Sequence, residues 1–139
     1  MKSKYIVISI TLICIISLTG LSLGIYSVAA NDYKNFDQIL DKRILYFEET
    51  VIEVNYPTPK TVTITDKDDV QYILDTLQLA GYKPKKYEIY YNVASFKIIQ
   101  GGNTYAFTPN GNTIKHNGKE YKTNYNFYEL IFRIADKYE

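Results

Sequence analysis

The stretch TVTITDKDDVQYILDTLQLAGY, residues 61–82, predicts a strand that leads directly into a capped helix. Val62 and Ile64 alternate with threonines, which is the period-two pattern of a half-buried strand. Asp66 is a good N-cap residue for the helix that follows, and Gly81 is expected to end it in the left-handed conformation. The apolar face of that helix has helical spacing and comprises Val70, Ile73, Leu74 and Leu77.

A second strand precedes this unit. In TVIEVNY, residues 50–56, Ile52, Val54 and Tyr56 fall on one face. The PTP sequence at 57–59 ends the strand, because proline cannot donate to a strand ladder. Together with residues 61–64 it predicts a hairpin with a loose proline turn. Before it, residues 31–48 predict a short amphipathic helix, or a stalk between membrane and domain.

Downstream, the pattern predicts an antiparallel meander and a final helix. Four short strands are expected in NVASFKIIQ, TYAFT, TIKH and KEYKT, and Asn117-Gly118 is a strong two-residue hairpin signal. In NYNFYELIFRIADKYE, residues 124–139, either Asn124 or Asn126 caps a helix. The fold class expected is α+β: an N-terminal apolar helix, then a mainly antiparallel β-meander sheet with two packed helices.

The N-terminal segment predicts export. Lys2 and Lys4 precede a stretch, residues 5–31, without a charged side chain, and this asymmetry places the rest of the chain outside the cytoplasm. Residues 1–30 fit a signal peptide cleaved after Ala30, and they also fit a single-pass anchor that contacts the membrane through residues 5–30. The expected organisation is this segment, then residues 31–48, then an extracytoplasmic domain at 49–139.

Composition excludes several classes of function. Cys14 is the sole cysteine, so no disulfide stabilises the exported part. That part carries 14 basic and 15 acidic residues, which gives no global preference for nucleic acid. Thirteen of its residues are tyrosines, which suits a core without tryptophan and equally a binding surface.

Catalytic chemistry has little support in the sequence. His116, the single histidine, is expected to be exposed in a turn, with Glu120 facing it across the hairpin. One histidine without an exported cysteine argues against a metal site, and Ser95 lies in a strand pattern without a nucleophile motif. No cofactor is expected. A small cell-wall hydrolase with a carboxylate pair remains the alternative function.

The main functional hypothesis is a non-enzymatic binding module at the bacterial cell surface: an accessory, immunity, inhibitor or sensor-like protein. Its partner would be a protein, or an anionic wall or membrane component. The basic, aromatic stretch YKPKKYEIYY, residues 82–91, is the best surface candidate, although it also fits a solvated linker whose lysines protect a sheet edge. The predicted contact residues are Tyr82, Lys83, Lys85, Lys86, Tyr87, Tyr90 and Tyr91.

The order TVTITDKDDVQYILDTL, FKIIQGGNTYAF, IKHNGKEYKTN and YELIFRIAD resembles small uncharacterised extracytoplasmic domains of Gram-positive bacteria. In these, a strand and a capped helix precede a β-meander and a final helix. The resemblance covers about residues 50–137. It implies secretion or membrane anchoring, and no functional residue is carried over from it.

Overall fold

A computed structural model describes residues 33–40, 49–91 and 93–139. The predicted signal or anchor at 1–30 lies outside these residues, as do residues 31–32 and 41–48 of the predicted helix or stalk. Among the helices in the described ranges, none has the length and hydropathy needed to cross a membrane.

The architecture is α+β, as the sequence predicts, with seven antiparallel strands in the order β2-β1-β4-β5-β6-β7-β3. The strands are β1 Val51–Asn55, β2 Thr61–Ile64, β3 Tyr82–Lys85, β4 Ser95–Gln100, β5 Asn103–Asn110, β6 Thr113–His116 and β7 Lys119–Thr123. The helices are α1 Phe36–Leu40, α2 Lys67–Leu79 and α3 Phe127–Ala135, followed by a 3-10 turn at Asp136–Tyr138.

One face of the sheet is buried under the helices. Side chains that alternate along the strands enter this core, among them Ile52, Phe96 and Ile114. The chain before residue 49 also contributes, since Phe36 of α1 is buried with its ring centroid 5.7 Å from that of Phe107. Lys34 forms an antiparallel bridge with Tyr82 on the outer side of β3. Residues 33–40 therefore pack on the sheet.

The predicted caps of the two long helices are present. Asp66 begins α2, and its carboxylate accepts from the amides of Asp68 and Asp69. Asn126, and not Asn124, caps α3 by accepting from the Glu129 amide. Each cap satisfies amides that have no partner within the helix.

The role predicted for Gly81 is wrong. Helix α2 ends at Leu79, its C-cap residue Ala80 is extended, and Gly81 lacks the positive φ that the glycines of the sheet turns have. What favours glycine here is space, because a Cβ at this position would lie 3.0 Å from Cδ1 of the half-exposed Tyr33. The Gly81 amide donates to Oδ1 of Asn124, at 3.0 Å.

The meander has the predicted hairpins, and the Asn117-Gly118 turn has the predicted conformation. Both residues have positive φ, 48° and 72°, as a type I′ turn requires. The basic, aromatic stretch at residues 82–91 is a strand at its start and a loop after it. Tyr82–Lys85 form the edge strand β3 on β7, and residues 86–91 are not in a strand. Pro84 is tolerated because an edge strand need not donate on both sides.

Candidate functional site

The strand order forces a loop across the open face of the sheet. β3 and β4 are consecutive in the chain, yet they lie four strand positions apart, or about 19 Å at the usual strand spacing. Residues 86–94, the crossing loop, make this connection. Helix α2 crosses the other face, so the loop runs over the face that the helices leave open.

Glu120 of β7 fastens the crossing loop to the sheet. Its side chain has 0% relative exposure, because the loop covers it. One carboxylate oxygen accepts from the Glu88 amide at 2.8 Å, and the other accepts from the Tyr90 hydroxyl at 2.6 Å. Lys85 adds an ion pair at 3.5 Å. Hydrogen bonds to a buried charge are stronger than neutral ones, so this carboxylate holds the loop firmly.

Lys115 of β6 supports the same loop from below. Its ammonium lies 4.2 Å from the centroid of the Tyr87 ring and 3.8 Å from that of Tyr90. It also donates to the backbone carbonyl of Glu88. Since Lys115 lies directly opposite Glu120 in the β6–β7 register, the two opposite charges hold the loop side by side.

The ionisation of this cluster matches its geometry. Burial would raise the pKa of Glu120, but the Tyr90 hydroxyl, the Glu88 amide and two lysines outweigh it, and the net pKa is lowered. The hydrogen bond to Glu120 in turn raises the pKa of Tyr90. The pKa of Lys85 is also raised, mainly by its hydrogen bond to Glu88. Glu120 is thus an anion and Tyr90 a neutral donor at neutral pH.

The crossing loop presents its other side chains to solvent. Tyr87 is 52% exposed, Ile89 68% and Tyr91 84%, and Val93 is exposed as well. Four large apolar side chains in seven residues are unusual for a solvated loop, and exposed apolar clusters of this kind mark interaction surfaces. Two open hollows, of about 320 and 330 Å³, flank Tyr87. Tyr87 therefore separates two hollows, and the loop after it exposes further apolar side chains.

The structure divides the seven predicted contact residues. The prediction that Tyr82 contacts a partner is corrected by the structure. Tyr82 is fully buried and its hydroxyl donates to the Leu77 carbonyl at 2.7 Å, so it belongs to the core. Lys85 and Tyr90 are half-buried members of the Glu120 cluster. The exposed members are Lys83, Lys86, Tyr87 and Tyr91.

His116 was expected in an exposed turn, and that prediction is wrong. The side chain is only 5% exposed, and its ring stacks on Phe107 with centroids 4.6 Å apart. Its Nδ1 lies 2.9 Å from the Ala106 carbonyl, so that nitrogen carries the proton. The partner of His116 across the hairpin is Lys119, while Glu120 faces Lys115.

Glu88 and Glu120 are neighbouring carboxylates, and their geometry suits structure better than hydrolysis. The Tyr90 hydroxyl lies 2.6 Å from Glu120 and 3.2 Å from Glu88, and Lys85 pairs with both. A general acid needs a raised pKa, whereas that of Glu120 is lowered. Its side chain is also fully buried beneath the loop. In the described part of the chain, no group of three or more His, Cys, Asp or Glu residues is arranged to hold a metal ion.

Sequence reasoning missed Ile89, Lys115 and Glu120 as members of this site. A signal for the last two was present. A two-residue turn at Asn117-Gly118 fixes the register and pairs Lys115 with Glu120, which puts opposite charges side by side on one face. The path of the crossing loop had no such local signal.

Comparison of the chain with protein families, with curated proteins and with solved structures found no match. The argument for function therefore rests on the residues of the crossing loop and on the sheet beneath it.

Proposed function

We propose that this chain is a non-enzymatic binding module that acts outside the cytoplasm and contacts its partner through the crossing loop. The observation that carries the proposal is the contrast within the loop. Ile89 and Tyr91 are mostly exposed, while the backbone between Tyr87 and Tyr90 is fastened to the buried Glu120. A loop held in one conformation loses little entropy when it binds, so its exposed apolar area contributes more to affinity.

The types of residue support the same function. Tyrosine gives a large contact area with few rotatable bonds, which is why binding surfaces use it. Tyr87 is further restrained by Lys115 beneath its ring. Export is supported by the sequence alone, through Lys2 and Lys4 and the uncharged residues that follow them.

A site-specific crosslinking experiment tests the proposal. A photoreactive amino acid replaces Tyr91 in the full chain, which is expressed in a Gram-positive host and irradiated on intact cells. The matched control carries the same group in place of Tyr72, which is 53% exposed on α2 on the opposite side of the sheet. A defined adduct from position 91 and none from position 72 supports the proposal. Equal yields, or none at 91, would overturn it.

A further inference from the structure

The two edges of the sheet differ in their protection against pairing with another chain. The edge strand β3 contains Pro84 and two lysines, and its outer side is bridged to Lys34 by two backbone hydrogen bonds of 2.8 and 2.9 Å. Proline, lysine and coverage are devices by which proteins prevent edge-to-edge association. The opposite edge strand β2, Thr61–Ile64, has neither a charge nor a proline, and among the described residues no strand pairs with its outer side. β2 is therefore the edge at which an additional strand can join.

The backbone groups on this outer side belong to the threonines. The Tyr56 amide donates to the Lys60 carbonyl at 3.0 Å, so the backbone groups of Lys60 face β1. Because backbone groups of successive strand residues point to opposite sides, those of Thr61 and Thr63 face away from β1. The side chains agree, since the Thr61 hydroxyl donates to Asn55 at 2.9 Å, as in a closely spaced pair without backbone hydrogen bonds.

The sequence around β2 is complementary to itself in one antiparallel register. When Thr63 lies opposite Thr63 of a second copy, Thr61 lies opposite Thr65 on both sides, and these pairs exchange roughly six backbone hydrogen bonds. Val62 then faces Ile64 on the helix side of the sheet, while threonines face threonines on the open side. Pairs of β-branched side chains of this kind stabilise adjacent strands.

The charges that flank the strand agree with the same register. Lys60 of each copy lies opposite Asp66 of the other. Lys60 pairs with Glu139 in its own chain, yet its side chain remains 44% exposed, and Asp66 is exposed and caps its helix through Oδ1 alone. A register centred on Val62 would instead set Lys60 opposite Ile64 and lose both charge contacts. The register centred on Thr63 is therefore favoured.

We propose that two copies of this chain associate through β2, in the register centred on Thr63, and form one continuous antiparallel sheet. The interface is isologous, because the same residues of both copies meet about a two-fold axis. This inference does not rest on the proposed function, since β2 and β3 are the opposite edges of the sheet. It would place two crossing loops on the same face of one assembly, where bivalent contact raises the overall affinity.

Cysteine crosslinking tests the register directly. The full chain carries Cys14→Ser, which removes the native thiol, together with Thr63→Cys, and the protein is oxidised with copper phenanthroline after purification in a mild detergent. In the proposed register the two Cα atoms at position 63 lie about 5.5 Å apart, a distance that a disulfide spans. The expected result is a dimer on a non-reducing gel that reverts to monomer on reduction.

Thr61→Cys and Thr65→Cys are the matched controls, since both positions are exposed like position 63. In the proposed register, position 61 of one copy is four residues along the paired strands from position 61 of the other. That separation is about 14 Å, too far for a disulfide, and the same holds for position 65. Neither single variant should form the dimer. The two substitutions in one chain should restore it, because positions 61 and 65 face each other.

A substitution at the centre of the edge tests whether strand pairing produces the dimer. Thr63→Lys is added to the chain that carries both Thr61→Cys and Thr65→Cys. It sets two ammonium groups opposite each other between the copies, which opposes pairing. Within one chain the new lysine faces Glu53, so the fold is expected to tolerate it. The crosslinked dimer should be lost with Thr63→Lys and retained with Thr63→Gln.

Three outcomes would overturn the proposal. Equal crosslinking in all three single-cysteine chains would indicate random collision of copies and no fixed register. Absence of the dimer both from Thr63→Cys and from the chain with Thr61→Cys and Thr65→Cys would exclude association through β2. A dimer that persists with Thr63→Lys would place the contact elsewhere.

Discussion

Replacing Glu120 by alanine should release the crossing loop from the sheet. The substitution removes the acceptor of two hydrogen bonds, from the Glu88 amide and the Tyr90 hydroxyl. Hydrogen bonds to a charged group contribute about 1.5–3 kcal/mol each. The freed donors lie near the surface and regain water when the loop lifts, so the two contributions are not fully additive. We therefore expect the free energy of unfolding to fall by about 3 kcal/mol, and by roughly half of that for Glu120→Gln, which keeps one acceptor.

The control is Glu53→Ala on β1, which also removes a carboxylate from the open face. Glu53 pairs with Lys97 at 3.1 Å, but both side chains are partly exposed. Exposed ion pairs contribute less than about 1 kcal/mol. Urea unfolding followed by circular dichroism gives the free energies of unfolding, and hydrogen exchange measures how well the Glu88 amide is protected. If Glu120→Ala costs no more than Glu53→Ala, and the Glu88 amide stays protected, the anchoring role of Glu120 is refuted.

The stabilisation by Glu120 should depend on pH in a defined direction. Its folded pKa is lowered, so its contribution is present above the unfolded pKa of about 4.3 and is lost as the pH falls through the folded value. Tyr90 has a raised pKa, so its contribution is present below about pH 10 and is lost as the pH rises through the folded value. The difference between the chain and Glu120→Gln should be flat from about pH 6 to 9 and shrink on both sides.

Three further substitutions test the packing, each measured by urea unfolding. His116→Ala should lower the free energy of unfolding by about 3 kcal/mol, because it removes a stacked ring and leaves a carbonyl without its donor, while His116→Phe should cost only about 1. Gly81→Ala should cost about 0.5–1 kcal/mol, with the cost abolished when Tyr33→Ala removes the crowding ring. Tyr82→Phe should cost about 1–1.5 kcal/mol, since it loses one buried hydrogen bond.

Each of these has an outcome that contradicts it. An unchanged stability in His116→Ala would show that the ring is not packed as described. A cost of Gly81→Ala that persists without the Tyr33 ring would place the conflict elsewhere. A neutral Tyr82→Phe would mean that the buried hydroxyl has no partner.

Local signals in the sequence predicted the parts of the fold that depend on near neighbours. Asp66 caps α2 because its carboxylate reaches amides two and three residues ahead, and a single stretch of sequence contains all three groups. The Asn117-Gly118 turn is likewise decided by two residues that tolerate positive φ. The number and direction of the meander strands followed from such turns.

The wrong predictions concern contacts between distant residues. His116 directly precedes a turn, which suggested exposure, but its ring is covered by Phe107 of another strand. Gly81 follows a helix, which suggested a left-handed cap, but the constraint comes from Tyr33 on the incoming chain. The candidate site was predicted only in part, for the same reason. The sequence itself shows its aromatic residues, whereas Glu120 joins the site because the strand order carries the loop across β7.

The pairing of β3 with β7, which is distant in sequence, bears on the order in which the chain assembles. Residues 82–85 pair with residues 120–123, so β3 has no place in the sheet until β7 exists. Contacts that close long stretches of chain form late, because the loop entropy must be lost before they stabilise the fold. During synthesis from the N-terminus, β3 would therefore stay unpaired until almost the last residues are added. We expect substitutions in β3 to accelerate unfolding and leave the folding rate unchanged, which stopped-flow kinetics of Tyr82→Phe can measure.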